Sequence, residues 1–220
     1  MKKIALALAF LLAACNSNQS IPTPSVGQWV QFGSNNLVIN QGPPMSFAFG
    51  GAALAAGYFY TALPSAPRVG QTLTLNYSVR GVNPEWQQVP ASGGNAQTDI
   101  NPPTLHLFLW RKGDDISCNS TNQKEDPITK QVTANNGGFA DYRLFADRTP
   151  LVLGENQTLS VPLDPEHWTG CWGFPPLNMQ DELNNLLGVG MVFGGQWFAG
   201  HGVYISGGSA TFIVNSITIQ

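Results

Sequence analysis

The stretch QTLTLNYSVRG, Gln71 to Gly81, constrains the fold more than any other part of the chain. Leu73, Leu75, Tyr77 and Val79 occupy alternate positions, with mostly polar residues between them. Side chains of an extended chain point to opposite faces in turn, so a period of two means a strand with one face buried. LHLFLWRKG, Leu105 to Gly113, puts Leu105, Leu107 and Leu109 on one face and His106, Phe108 and Trp110 on the other. Further strand signals are QWVQF, NLVIN, MSFAF, GYFYTAL, ADYRLFA, QTLSVPL, VGMVFGG, GVYIS and SATFIVNSITI. Together they predict roughly ten or eleven strands at sandwich spacing. NMQDELNNLLG carries the one helical signal. Asn178 serves as cap with Asp181 three residues on, Leu183, Leu186 and Leu187 make an apolar face, and Gly188 ends it. Gly207-Gly208 is read as a hairpin turn joining GVYIS to SATF.

Composition agrees with that pattern. Glycine (24) and proline (16) are frequent in the 220 residues, yet 43% of the chain is hydrophobic, which predicts an all-β domain rich in turns and not a disordered chain. Only 10% is charged, with a formal net charge of −3. No basic patch points to nucleic acid as a partner.

The runs MSFAFGG, GYFYT, GQTLTLNYSV and GGSATFIVNSITI are similar to jelly-roll domains of the carbohydrate-binding-module or galactose-binding-like kind. The resemblance spans most of residues 26–220 and is one of fold. It implies a jelly-roll-like β-sandwich of two antiparallel sheets, with the final strand pairing back near the N-terminal strands. It carries over no binding residue, because function lives in sites placed on folds.

The chain opens MKKIALALAFLLAAC. Lys2 and Lys3 form a positive start, Ile4 to Leu12 a short apolar run, and Ala13 and Ala14 precede Cys15. This is the build of a secretory signal peptide, too short for a transmembrane helix. LAAC resembles the lipobox of bacterial lipoproteins. That resemblance implies cleavage before Cys15, which then carries the lipid anchor to the membrane. Asn16, in place of Asp, implies an outer-membrane destination. The expected organisation is a signal peptide (1–14), a lipidated N-terminus and polar tether (15–25) and a sandwich domain (26–220). Removing Lys2 and Lys3 leaves 8 basic against 13 acidic residues, a mature charge of −5.

With Cys15 lipidated, Cys118 and Cys171 are left in an exported chain, and a disulfide is their natural pairing. It would close a loop of about fifty residues, worth roughly 4 kcal/mol in the chain-entropy model.

Candidate ligand contacts cluster in two stretches. The polar loop NPEWQQVPASGGNAQTDINPP holds Trp86 with Glu85, Gln87 and Gln88 beside it. Aromatic faces stack on the C–H faces of sugars while amides and carboxylates bond the hydroxyls. The glycine-rich GGQWFAGHG holds Trp197 and His201. Trp168 and Trp172 flank Cys171 and read as packing around the disulfide, and Trp29 and Trp110 as core. The turn WRKGDD, with Asp114 and Asp115, is compatible with a structural calcium but is also an ordinary turn sequence; no other cofactor is implied. His106, His167 and His201 are scattered and read as structural, so no metal site is expected. GxSxG, HExxH and SxxK motifs are missing from the sequence.

The expectation is a lipid-anchored envelope protein with a non-catalytic binding domain, for glycan before other ligands. The alternatives are a structural or assembly lipoprotein that contacts a protein partner, and, after these, a glycan-degrading enzyme. Exposed aromatics, a broad apolar patch, and two close carboxylates in a cleft are their respective signs.

Overall fold

The computed structural model describes residues 24–32, 37–39, 44–52, 55–88, 103–111, 123–125, 132–134, 144–170, 176, 178–194 and 202–220. The two stretches with the cleanest alternation form the backbone of one sheet. Strand β5 is Thr72–Val82 and strand β16, near the C-terminus, is Ser209–Ile219. β16 pairs antiparallel with β5 on one side and with β3 (Met45–Ala48) on the other, while β12 (Gly154–Pro162) flanks β5. This four-stranded sheet runs β12-β5-β16-β3. The last strand returns to an N-terminal one, as the jelly-roll resemblance implies.

The second sheet is built from β1 (Trp29–Phe32), β2 (Leu37–Ile39), β4 (Tyr58–Thr61), β7 (Thr104–Arg111), β10 (Leu144–Ala146), β11 (Thr149–Pro150), β13 (Trp168–Thr169) and β14 (Leu186–Gly194). Its order is β13-β10-β7-β14-β4-β1-β2, with β11 also on β7. Two ribbons complete the described strands: β6 (Trp86–Gln88) with β15 (Val203–Ile205), and β8 (Gln123–Glu125) with β9 (Val132–Ala134). All strand pairings are antiparallel, and the chain crosses repeatedly between the two larger sheets, as in a jelly roll. The all-β sandwich with one short helix is therefore the fold.

The period of two fixes which face is buried. Leu73, Leu75, Tyr77 and Val79 of β5 and Phe212 and Val214 of β16 face Leu105, Leu107 and Leu109 of β7 and Val189, Met191 and Phe193 of β14 in one core. Aromatic rings bridge the layers. Phe47 of β3 stacks on Phe59 of β4 with centroids 4.0 Å apart and planes 10° apart, and Phe193 meets Phe212 edge-on at 5.2 Å. Such pairs add about 0.5–1.5 kcal/mol beyond the area they bury.

The larger sheet is buried on its outer face as well. Val30, Tyr58, Tyr60, Phe108, Trp110 and Val192 form a second cluster there, with Leu187 packed against it. Glycine in the middle strand makes this possible. Gly190 of β14 lies between Tyr60 of β4 and Phe108 of β7, and Gly188 lies beside Trp110. Over these glycines Tyr60 meets Trp110 edge-on at 5.0 Å and Phe108 at 6.1 Å. A Cβ on Gly190 would run into the Phe59 carbonyl oxygen. This is why β4, β7 and β14 read as apolar on both faces.

Four expectations need correction. Helix α1 is Met179–Asn184, capped by the Asn178 side chain, which accepts from the Asp181 N–H at 3.1 Å. The cap is as predicted, but Leu186, Leu187 and Gly188 begin strand β14 because pairing with β7 wins over a second helical turn. Residues 86–88 belong to a strand, where the sequence suggested loop. Gly207-Gly208 does not close a hairpin: β15 pairs with β6 and β16 with β5 and β3, so the turn hands the chain from ribbon to sheet. The described residues also hold sixteen strands, several only two or three residues long, where ten or eleven were expected. Cys15, Cys118, Cys171, Trp172, Asp114 and Asp115 lie outside the described residues.

Candidate functional site

The ribbon of β6 and β15 carries Trp86, with Glu85 just before it. Its register is Trp86 opposite Ile205, Gln87 opposite Tyr204 and Gln88 opposite Val203. Directly opposed residues in an antiparallel pair share a face, so the ribbon has two different sides. Trp86, Ile205 and Val203 turn inward. Trp86 packs against the main core and meets Phe49 edge-on, centroids 4.9 Å apart. Gln87 and the half-buried Tyr204 turn outward.

The ribbon is fixed to the sandwich by backbone hydrogen bonds. Val203 N–H donates to the Ala56 carbonyl and Ala56 N–H to the Val203 carbonyl, both at 2.8 Å, and Ile205 N–H donates to Gly50 at 3.0 Å. At its far end, Glu85 N–H donates to the Gly207 carbonyl and Ser206 N–H to the Glu85 carbonyl, each at 3.0 Å. The Ser206 hydroxyl donates to Glu85 Oε2 at 3.2 Å, and Gln87 Nε2 lies 3.5 Å from the same hydroxyl. Gly208 adopts φ +72, a conformation that side chains disfavour.

Glu85, Gln87, Ser206 and Tyr204 thus form an outward cluster with one aromatic ring, one amide, one hydroxyl and one carboxylate. Sequence reasoning selected Glu85 and Trp86 and missed Tyr204 and Ser206. The missing signal was pairing: only the register shows that Tyr204 stands across from Gln87. Trp197 and His201 lie outside the described residues. The segment that carries them, 195–201, enters the ribbon at Val203, and residues 89–102 leave it at Gln88, so both attach at one end. Gly202 N–H donates to the Phe193 carbonyl at 3.2 Å.

The remaining ionisable groups serve the framework. His106 is half-buried, and desolvation holds its pKa below the usual imidazole value; its Nδ1 donates to the Ala146 carbonyl at 2.9 Å. His167 is exposed, and its Nδ1 lies 2.6 Å from Asp164 Oδ1, whose hydrogen bond raises the histidine pKa. The same carboxylate oxygen accepts from the Glu166 and His167 N–H groups, fixing a turn. His167, Arg148 and Ser160 border a cleft of about 260 Å³. Trp168 is wholly buried and its indole N–H donates to the Pro162 carbonyl at 2.7 Å.

The closest carboxylates on the helix are Asp181 and Glu182. Both reach Arg111 of β7, at 3.2 and 3.5 Å. Glu182 is only 4% exposed, and burial raises its pKa to about 7 against the opposing charge of Arg111. These groups tie the helix to the end of β7. Among the described residues no group of histidine, cysteine and carboxylate side chains is arranged to hold a metal ion. No helix among them is long and apolar enough to cross a membrane.

The fold and this cluster define a β-sandwich with an outward polar-aromatic ribbon. No protein-family model, curated protein or solved structure matches the chain.

Proposed function

We propose that this chain is a lipid-anchored cell-envelope protein, held at the outer membrane through Cys15, whose sandwich is a non-catalytic glycan-binding domain. The β6–β15 ribbon is its contact surface. What supports the reading is the pairing of Gln87 with Tyr204 and of Trp86 with Ile205. That pairing joins two stretches more than a hundred residues apart and sets Tyr204 beside residues 85–88, a stretch the sequence singled out for its ligand-like residues. Tyr204 supplies a ring for the apolar face of a sugar, while Gln87, Ser206 and Glu85 supply donors and acceptors for its hydroxyls. Trp86 holds the ribbon down from beneath.

The test is a glycan-array screen of a soluble form beginning at Asn16. The expected result is a specific hit that Tyr204→Ala abolishes with the fold intact by near-UV circular dichroism. A blank array from a folded domain would overturn the glycan reading and favour a protein-contacting envelope lipoprotein.

A further inference from the structure

The strand registers sort the molecule into two poles. β5 runs from Thr72 to Val82, a span of about 33 Å at strand rise. Val82 stands opposite Ser209, and the β6–β15 ribbon is fixed at this end, beside Gly50 and Ala56. The N-terminal residues lie at the other end. Val26 bridges Ala62 just beyond β4, and Trp29 stands opposite Thr61. Val189 of β14 also pairs with Thr61, so Leu186 and the helix α1 before it reach the same pole. Val69 is held there too, its N–H donating to Gln180 Oε1 at 3.2 Å.

This pole has an apolar surface with little net charge. Ala62, Leu63, Leu183, Leu186 and Leu187 line a cleft of about 130 Å³ in it. Val26 and Val69 are 62% and 44% exposed. The segment 62–70, ALPSAPRVG, carries one charged residue, the cation Arg68. The helix carboxylates are engaged, Asp181 and Glu182 by Arg111 at 3.2 and 3.5 Å. Asp164, which bonds His167, and Glu166 lead into β13, and four strands separate β13 from β1 in the larger sheet. The other exposed large apolar side chains among the described residues, Val82, Val152 and Leu153, sit at the ribbon pole among Arg80, Glu85 and Glu155.

Cys15 lies nine residues before Pro24, and a fully extended chain of that length spans about 31 Å. An anchored Cys15 keeps the Val26 pole close to the bilayer, at an effective concentration that lets a weak contact persist. Apolar side chains beside a cation suit the boundary between acyl chains and headgroups: the valines leave water there and the cation meets anionic phosphate.

We infer that this pole is a lipid-contacting face. Val26 and Val69 enter the acyl–headgroup boundary and Arg68 meets the phosphates, so the domain stands on the bilayer with the ribbon turned away from it. The inference rests on the Cys15 anchor proposed above and adds a second, non-covalent contact to it.

The test is photocrosslinking of the full chain reconstituted into vesicles of phosphatidylethanolamine and phosphatidylglycerol. Benzoylphenylalanine is introduced at Val26, at Val69 or, as control, at Val82, and lipid adducts are read by mass spectrometry after irradiation. Adducts at 26 and 69 should exceed those at 82 at least tenfold. With the probe at Ala66, Val26→Asp/Val69→Asp should cut the yield several-fold and Val82→Asp should leave it unchanged, with both variants folded by near-UV circular dichroism. Equal adducts at the three positions, or more at 82, overturn the inference, as does an Ala66 yield that Val26→Asp/Val69→Asp leaves intact. A second form, with residues 1–15 replaced by hexahistidine and held on nickel-chelating vesicles, anchors the chain at the same point without its own lipid. Adducts at 26 and 69 in that form, from a wild type that does not stay with membranes, remove the Cys15 anchor and leave the face standing. Wild type that stays bound without those adducts keeps the anchor and removes the face.

Discussion

Trp86 stands edge-on to Phe49, with ring planes at 89°, while Tyr204 on the paired strand points the other way. The two aromatics of one ribbon therefore have different jobs. Trp86→Ala should cost about 2 kcal/mol of stability, less than a fully buried tryptophan because Trp86 is half-buried. Tyr204→Ala should leave the urea midpoint nearly unchanged and abolish glycan binding. Equal stability losses in the two variants would contradict this division.

Glu182 gives a pH signature. Its pKa rises from 4.5 in the unfolded chain to about 7 in the fold, so the folded protein keeps a proton that the unfolded chain releases. Below pH 4.5 both states hold the proton and stability is full. As pH climbs from 4.5 to 7 the unfolded state is favoured, by up to about 1.4 kcal/mol per pH unit. Above 7 the loss is complete and flat. Arg111 and Asp181 face the group and stay with it throughout. Glu182→Gln should thus be no more stable than wild type at pH 4 and relatively more stable at pH 8. Urea unfolding at the two pH values checks this; parallel behaviour would show that Glu182 is ionised in the fold.

Gly190 separates Tyr60 from Phe108 in the middle of the larger sheet. Any side chain there meets the Phe59 carbonyl. Gly190→Val should destabilise by about 3 kcal/mol or prevent folding, the cost of forcing atoms into a packed layer. The same change at Gly51, where a Cβ meets nothing within 4 Å, should cost much less. Thermal unfolding of the pair provides the comparison.

The proposed anchor is tested at its own residue. Cys15→Ser should block lipid attachment and release the protein from the membrane fraction. Metabolic labelling with a radiolabelled fatty acid should mark wild type and leave the variant unmarked.

The two remaining cysteines give a simple count. Thiol titration of the unfolded, non-reduced mature protein should find no free thiol from Cys118 or Cys171. Two free thiols would remove the predicted disulfide.

The alternation in Gln71 to Gly81 made β5 legible without a structure, and the two-sided apolar pattern of Leu105 to Gly113 did the same for β7. Both depend on residues near in sequence. The Asn178 cap was legible for the same reason. What the sequence hid was pairing across distance. Leu186 and Leu187 fit a helix until β7 offers them hydrogen bonds, and Trp86 reads as loop until Ile205 lies beside it. The apolar pole was hidden too, since Val26 and Val69 are ordinary residues until Ala62 and Gln180 hold them at one end.

Strand β16 lies inside the smaller sheet, between β5 and β3, and its partners on β5 are 127 to 146 residues earlier in the chain. The smaller sheet cannot close until residues 209–219 have been made and delivered, and pairings of such long range form slowly. In the exported chain proposed above, that delay would leave the smaller sheet open until its last strand is made, so that folding could follow passage through the membrane.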